Sequence, residues 1–127
     1  SITIDADLLV RLDEHVAHSG HANRSEAVRD MIRARLVDET SVDDAVAGSL
    51  TVVYDHRQRA LAERLIDVAH DHGEIVLSTL HVHLDGDTCM EISALRGHRG
   101  ALRHYADHVL GMKGVLHGEL AIAAETR

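Results

Sequence analysis

The sequence has no proline, phenylalanine or tryptophan, and two tyrosines. Its core is therefore expected to be Leu, Val, Ile and Ala. A single cysteine, Cys89, excludes an internal disulfide framework and fits a reducing, cytoplasmic compartment. No apolar run approaches the ~20 residues that cross a bilayer. No basic stretch followed by an apolar run opens the chain, so neither a membrane partner nor a signal peptide is expected. Lysine is nearly absent: 12 of the 13 basic residues are Arg, against 21 acidic residues and a net charge of −8. An Asp-rich, Lys-poor surface of this kind points to an acidic, salt-tolerant proteome. Histidine is the surplus, 12 in 127 residues. With 45% hydrophobic and 27% charged residues, the chain has the composition of one ordinary domain or two small ones.

Ser1 to Asp5 alternates polar and apolar side chains, the pattern of a short strand with one buried face. Leu8, Leu9, Leu12 and Val16 then recur at helical spacing up to Gly20, which suits a C-cap. Asn23 or Ser25 can cap a second helix, and Asn23 with Glu26 has capping-box spacing. Val28, Met31, Ile32 and Leu36 lie on that helix's apolar face. One strand and two helices over residues 1–45 are close to the ~40-residue limit for folding alone, and the strand has no partner in the segment. The economical solution is a dimer in which two strands pair and four helices share a core.

Residues 38–48 read as a linker, and a second domain is expected over residues 46–127. Leu50 to Tyr54 is a β-branched strand, Arg57 to His72 a helix, and Glu74 to Leu84 a strand. Asp85-Gly86-Asp87 is a hairpin turn, Thr88 to Leu95 its return strand, Gly100 to Met112 a helix and Val115 to Ala123 a last strand. The order β-α-β-β-α-β predicts a ferredoxin-like sandwich, so the chain as a whole is an α+β protein.

His81-Val82-His83 is the sharpest chemical feature. Residues two apart on a strand share a face, so both imidazoles project together. The hairpin then returns the chain and brings Cys89 within reach across the ladder. Two imidazoles and a thiolate suit Zn(II), Cu(II) or Ni(II): zinc prefers a tetrahedron, whereas the other two accept square-planar sites. Three donors leave one position for water or for a fourth ligand from elsewhere. Glu91, on the same strand face as Cys89, can accept a His N–H and fix the ring.

Asn23-Arg24-Ser25-Glu26-Ala27-Val28-Arg29-Asp30, followed by His81-Val82-His83 and Cys89-Met90-Glu91-Ile92, resembles the nickel-responsive transcriptional regulators (NikR). The resemblance covers essentially the whole chain. Asn-Arg-Ser-Glu-Ala recurs in many ribbon-helix-helix proteins, but joined to His-x-His-x5-Cys in a βαββαβ pattern it is specific. It implies a ribbon-helix-helix DNA-binding and dimerisation domain over 1–45, followed by an ACT-like metal-binding and tetramerisation domain over 46–127. It implies a square-planar Ni(2+) site of His81, His83 and Cys89, completed by His70 from a neighbouring subunit, with His72 a near competitor. It also implies a second cation site, suited to K(+), at Glu26 and Asp30. The other histidines, His56 among them, read as surface or weak-site residues.

In the ribbon-helix-helix mode, paired strands enter the major groove of a double-stranded DNA operator. Outward Ser1 and Thr3 would meet base edges, since Ile2 and Ile4 face the core. Asn23, Arg24 and Ser25, at the start of the second helix, would face phosphate. Arg57 and Arg59 match family positions that hold the DNA backbone nonspecifically. The resemblance thus implies a homotetrameric repressor, a dimer of dimers that shuts off nickel-uptake genes when nickel binds between subunits. Against this stands the charge of residues 1–45, five Arg and ten acids, where most DNA-binding domains are basic. Two other readings use the same residues. One is a zinc enzyme with Glu91 as general base; the other is a ribbon-helix-helix regulator that senses a different metal or a small organic ligand.

Overall fold

The computed structural model describes residues 1–58 and 60–126, so Arg59, one of the DNA-contact candidates, lies outside the described residues. The chain divides into two compact units, Ser1–Asp38 and Glu39–Arg127.

The first unit is a helix pair, α1 (Ala6–Ser19) and α2 (Arg24–Asp38). The Asp5 carboxylate accepts the Leu8 N–H at 2.9 Å and starts α1, and Gly20 ends it in the left-handed region at φ 77°. Asn23 is the side chain that caps α2: its Oδ1 accepts the Glu26 N–H at 3.0 Å, while the Glu26 carboxylate reaches back to the Ala22 N–H at 3.1 Å. Ser25 lies inside the helix. Residues 1–5 form no strand, contrary to the alternation of their side chains. A strand exists only when its N–H and C=O groups meet another strand, and this unit contains none.

Packing shows the same incompleteness. Ala27 is the one buried residue of either helix. Ile2 is 82% exposed, Leu8 51% and Ile32 51%. Ile4, Leu8, Leu12, Val28 and Met31 line one open apolar groove.

The second unit is a four-stranded antiparallel sheet with two helices. In chain order it runs β1 (Ala45–Asp55), α3 (Leu61–Asp71), β2 (Val76–His83), β3 (Thr88–His98), α4 (Arg99–Leu110) and β4 (Val115–Glu125). The spatial order β2-β3-β1-β4 is that of the ferredoxin-like sandwich. Alternate residues of β1 (Val46, Leu50, Val52, Tyr54) face Leu61 and Leu65 of α3 and Leu102, Tyr105, Ala106 and Val109 of α4. Cys89 and Leu95 of β3 complete that face. The expectation of an all-aliphatic core needs one correction: both tyrosines belong to it, Tyr54 at 1% and Tyr105 at 4% exposure.

The linker expected over 38–48 is not loose chain. The Val42 and Asp44 carbonyls accept the Gly100 and Arg99 N–H groups, each at 2.9 Å. These are first-turn donors of α4, which a helix cannot satisfy internally. The Arg99 guanidinium adds the Thr40 hydroxyl at 2.6 Å. So pinned, the chain enters β1 at Ala45, five residues before the strand expected at Leu50, and Gly48 lies within it. A Cβ at Gly48 would run into the Ala121 carbonyl of β4, where the β1–β4 register shifts. The glycine marks a close approach of two strands.

Candidate metal centre

The β2–β3 hairpin builds the centre. Asp85 Oδ1 accepts the Asp87 N–H at 2.8 Å and the Thr88 N–H at 2.9 Å, an Asx turn that fixes the reversal. The ladder then sets His83 opposite Cys89 and His81 opposite Glu91. Cys89 Sγ lies 3.2 Å from His83 Nδ1, and the His81 and His83 rings stand 5.3 Å apart. The thiol is fully buried, while both imidazoles are exposed. The pocket thus has a sulfur floor and nitrogen walls open to solvent.

His81 has two holders. The Tyr54 hydroxyl is 3.3 Å from its Nε2, and Glu91 Oε1 is 3.5 Å from its Nδ1. Burial, followed by the charges of Glu91 and Cys89, pushes the Tyr54 phenol up to about 12, so it stays protonated at neutral pH. Burial also raises the Glu91 carboxyl, against a smaller opposing pull from His81. Glu91 is thus in contact with His81.

One donor was missed from the sequence. His56 Nδ1 lies 3.4 Å from Cys89 Sγ, and the donor atoms of His56, His83 and Cys89 all lie within 4.8 Å of one another. The signal was the topology. A ferredoxin-like order seats β1 beside β3, which pairs Tyr54 with Cys89 and leaves His56 just past the strand end. The His56 N–H donates to the Asp87 carbonyl at 2.7 Å, tying this turn to the hairpin.

His70 is exposed in the last turn of α3 and stands outside that group. Its competitor is already engaged: His72 Nδ1 donates to the Val68 carbonyl at 2.8 Å, and its ring packs 5.1 Å from Tyr105.

In the first unit, Ser1, Thr3 and Ser25 are exposed. Arg24 holds Asp13 through two bonds, 2.7 Å from Nε and 2.9 Å from Nη2, which draws that carboxyl below its ordinary range. In the second unit, Arg57 is held by Asp55 at 3.1 Å and faces Asp87 at 3.8 Å, and it remains 69% exposed. The candidate cation ligands are also engaged. Glu26 closes the cap of α2, and Asp30 binds His21 at 2.7 Å and Arg33 at 3.2 Å.

The chain thus joins a two-helix unit with an open apolar face to a sheet unit that carries a His/Cys cluster. Residues 1–39 match the ribbon-helix-helix protein, CopG family, and residues 47–123 match the NikR C terminal nickel binding domain. Relatives named "Putative nickel-responsive regulator" include one from Solibacter usitatus, 46% identical over 95% of this chain and 88% of its own. Another, from Trichlorobacter lovleyi, is 42% identical over 98% and 91%, and a third, from Bradyrhizobium diazoefficiens, is 45% identical over 96% and 84%. The chain belongs to the nickel-responsive regulator family, which consists of nickel-dependent transcriptional regulators and not of enzymes. Among the described residues no helix is long and apolar enough to cross a membrane.

Proposed function

We propose that the chain is a nickel-dependent repressor of nickel-uptake genes, acting in the cytoplasm as a dimer of dimers. The observation that carries this reading is the cross-strand pair of His83 and Cys89 at 3.2 Å with His81 beside it. Two imidazoles and a thiolate on one face suit a square-planar d8 ion, and such an ion needs one further donor. His70 of a second copy is that donor. It is exposed, and among the described residues its side chain has no bond like that of His72. His and Cys donors must shed protons to bind, so affinity falls in acid.

The open groove of the first unit supports dimerisation, since a second copy would bury Ile4, Leu8, Leu12, Val28 and Met31. Residues 1–5 of two copies would then pair as strands and present Ser1 and Thr3 to the major groove. Asn23, Arg24 and Ser25 would face phosphate, Arg24 with the guanidinium nitrogen that Asp13 leaves over. Arg57 and Arg59 would add backbone contacts. Nickel bound between copies favours the arrangement in which both reading heads meet their half-sites. A K(+) ion at Glu26 and Asp30 belongs to the same reading, and it requires Asp30 to release His21 and Arg33.

DNA footprinting with and without Ni(II), on wild type and His83→Ala, tests the proposal. A nickel-dependent footprint lost in His83→Ala is expected; a footprint independent of the metal would overturn it.

A further inference from the structure

Between α3, α4 and the sheet lies a half-enclosed cavity of about 160 Å³. Strand pairing sets its floor. Thr79, Ser93 and Leu50 stand abreast on β2, β3 and β1, and Glu91 and Val52 stand abreast on β3 and β1 two residues along. Leu65 of α3 and Val109 of α4 close the apolar side, and Ile66 at the rim is 62% exposed. Four polar side chains interrupt this apolar wall. Ser93 is 7% exposed, Tyr105 4% and the Glu91 side chain 13%. The Thr79 and Ser93 hydroxyls share a hydrogen bond of 3.1 Å, which occupies one of their two protons. Glu91 turns Oε1 toward His81 at 3.5 Å, and none of the described residues bonds its second oxygen. The Tyr105 hydroxyl likewise has no hydrogen-bond partner among the described residues. Buried polar groups are ordinarily paired. No polar atom of the described buried side chains is sealed off unpaired, so this hydroxyl meets the cavity. Burial, followed by the charge of Glu91, holds the Tyr105 phenol above its ordinary range, which puts the two groups in one field.

We propose that this cavity is a binding site for a short primary aliphatic amine, its ammonium group held by Glu91, Tyr105 and the Thr79–Ser93 pair and its alkyl chain by Leu50, Val52, Leu65 and Val109. An ammonium carries three donors and no acceptor. The cavity offers three acceptors to match: the second Glu91 oxygen, the Tyr105 oxygen and a hydroxyl of the pair. Glu91 is the one ionisable acid or base on the wall besides the two phenolic and hydroxyl types, so a buried cation finds its countercharge there and a buried carboxylate does not. Size sets the chain length. An apolar cavity of about 150 Å³ takes benzene, so this one suits a branched chain of about five carbons. The site uses none of the metal donors, and it stands whether or not the nickel reading does.

The test uses the full, metal-free chain and 3-methylbutylamine, with 3-methylbutan-1-ol as the uncharged counterpart. NMR titration is expected to shift the methyl signals of Leu50, Leu65 and Val109 and to saturate at one amine per chain. The alcohol is expected to bind at least about 10-fold more weakly, the loss that follows when a hydrogen-bonded group gives up its charge. Tyr105→Phe keeps the packing and removes one acceptor, and it is expected to weaken the amine by about 10-fold. Ala69→Leu fills the cavity from α3 and is expected to abolish the shifts while the thermal midpoint stays level or rises. Should that variant fail to fold, Tyr105→Phe and the alcohol still decide the matter. Equal affinity for amine and alcohol, undiminished binding in Tyr105→Phe, or shifts confined to surface residues would overturn the proposal. So would the lack of any shift, the result if water alone or a side chain of a second copy occupies the cavity. Nickel-dependent footprinting is a separate readout, so its failure leaves this result standing.

Discussion

Glu91→Gln isolates how the proposed planar site would hold its first imidazole. The substitution keeps shape and burial and removes the charge that faces His81 Nδ1. Losing an outer partner of a metal-bound histidine costs about 10–100-fold in affinity. The contact is 3.5 Å, longer than the about 2.7–2.9 Å of a strong charge-assisted bond, and Tyr54 still approaches the other ring nitrogen at 3.3 Å. The low end is therefore expected, about 10-fold or about 1.4 kcal/mol. Glu91→Gln combined with Tyr54→Phe, which strips both holders, should approach 100-fold. The assay is titration with Ni(II) against a competing chelator, followed by the thiolate charge-transfer band. The band should keep its shape, because His81, His83 and Cys89 remain. The metal-free protein should be no less stable at neutral pH. Burial raises the Glu91 pKa, so its folded-state charge is a cost at every pH above the unfolded value, and the amide removes that cost. Unchanged affinity in the double variant would refute the positioning role, and loss of the band in Glu91→Gln would make Glu91 a ligand instead.

Leu12→Asp, placed in the open groove of the first unit, should abolish DNA binding and dimerisation through residues 1–38 while nickel binding by the second unit persists; gel shift and the thiolate charge-transfer band measure the two. The Asp13–Arg24 pair should make the helix pair acid-sensitive. The folded Asp13 pKa is depressed, so its contribution is present above the unfolded value and is lost as pH falls below about 4. Asp13→Asn should lack that step, as read by hydrogen exchange at α1 and α2. Gly118→Ala should cost about 1–3 kcal/mol as overpacking, because a Cβ there meets the Thr51 carbonyl at 2.6 Å and Leu110; the denaturant midpoint reports it. Dialysis to low salt should lower the thermal midpoint, since 21 acidic residues repel one another unscreened, and full stability there would remove the salt-tolerance reading.

What the sequence made legible follows from how local each signal is. The caps at Gly20 and Asn23 were readable because each acts on backbone within four residues, whereas the cap at Asp5 was hidden by the strand-like alternation of residues 1–5. The hairpin was readable because Asp85 bonds two and three residues ahead, and with the turn in place a period of two carries His83 onto Cys89. The strand at residues 1–5 was a statement about two chains, and in one chain its backbone groups have nothing to meet. The early start of β1 was hidden because the carbonyls of Val42 and Asp44 answer donors on α4, more than fifty residues away. His56 was hidden for a related reason. Its neighbour in sequence, Tyr54, reveals nothing of Cys89 until the sheet order is applied, and the order makes them partners. In this chain the hairpin brings His83 onto Cys89 through contacts local in sequence, whereas His56 joins them only through strand order.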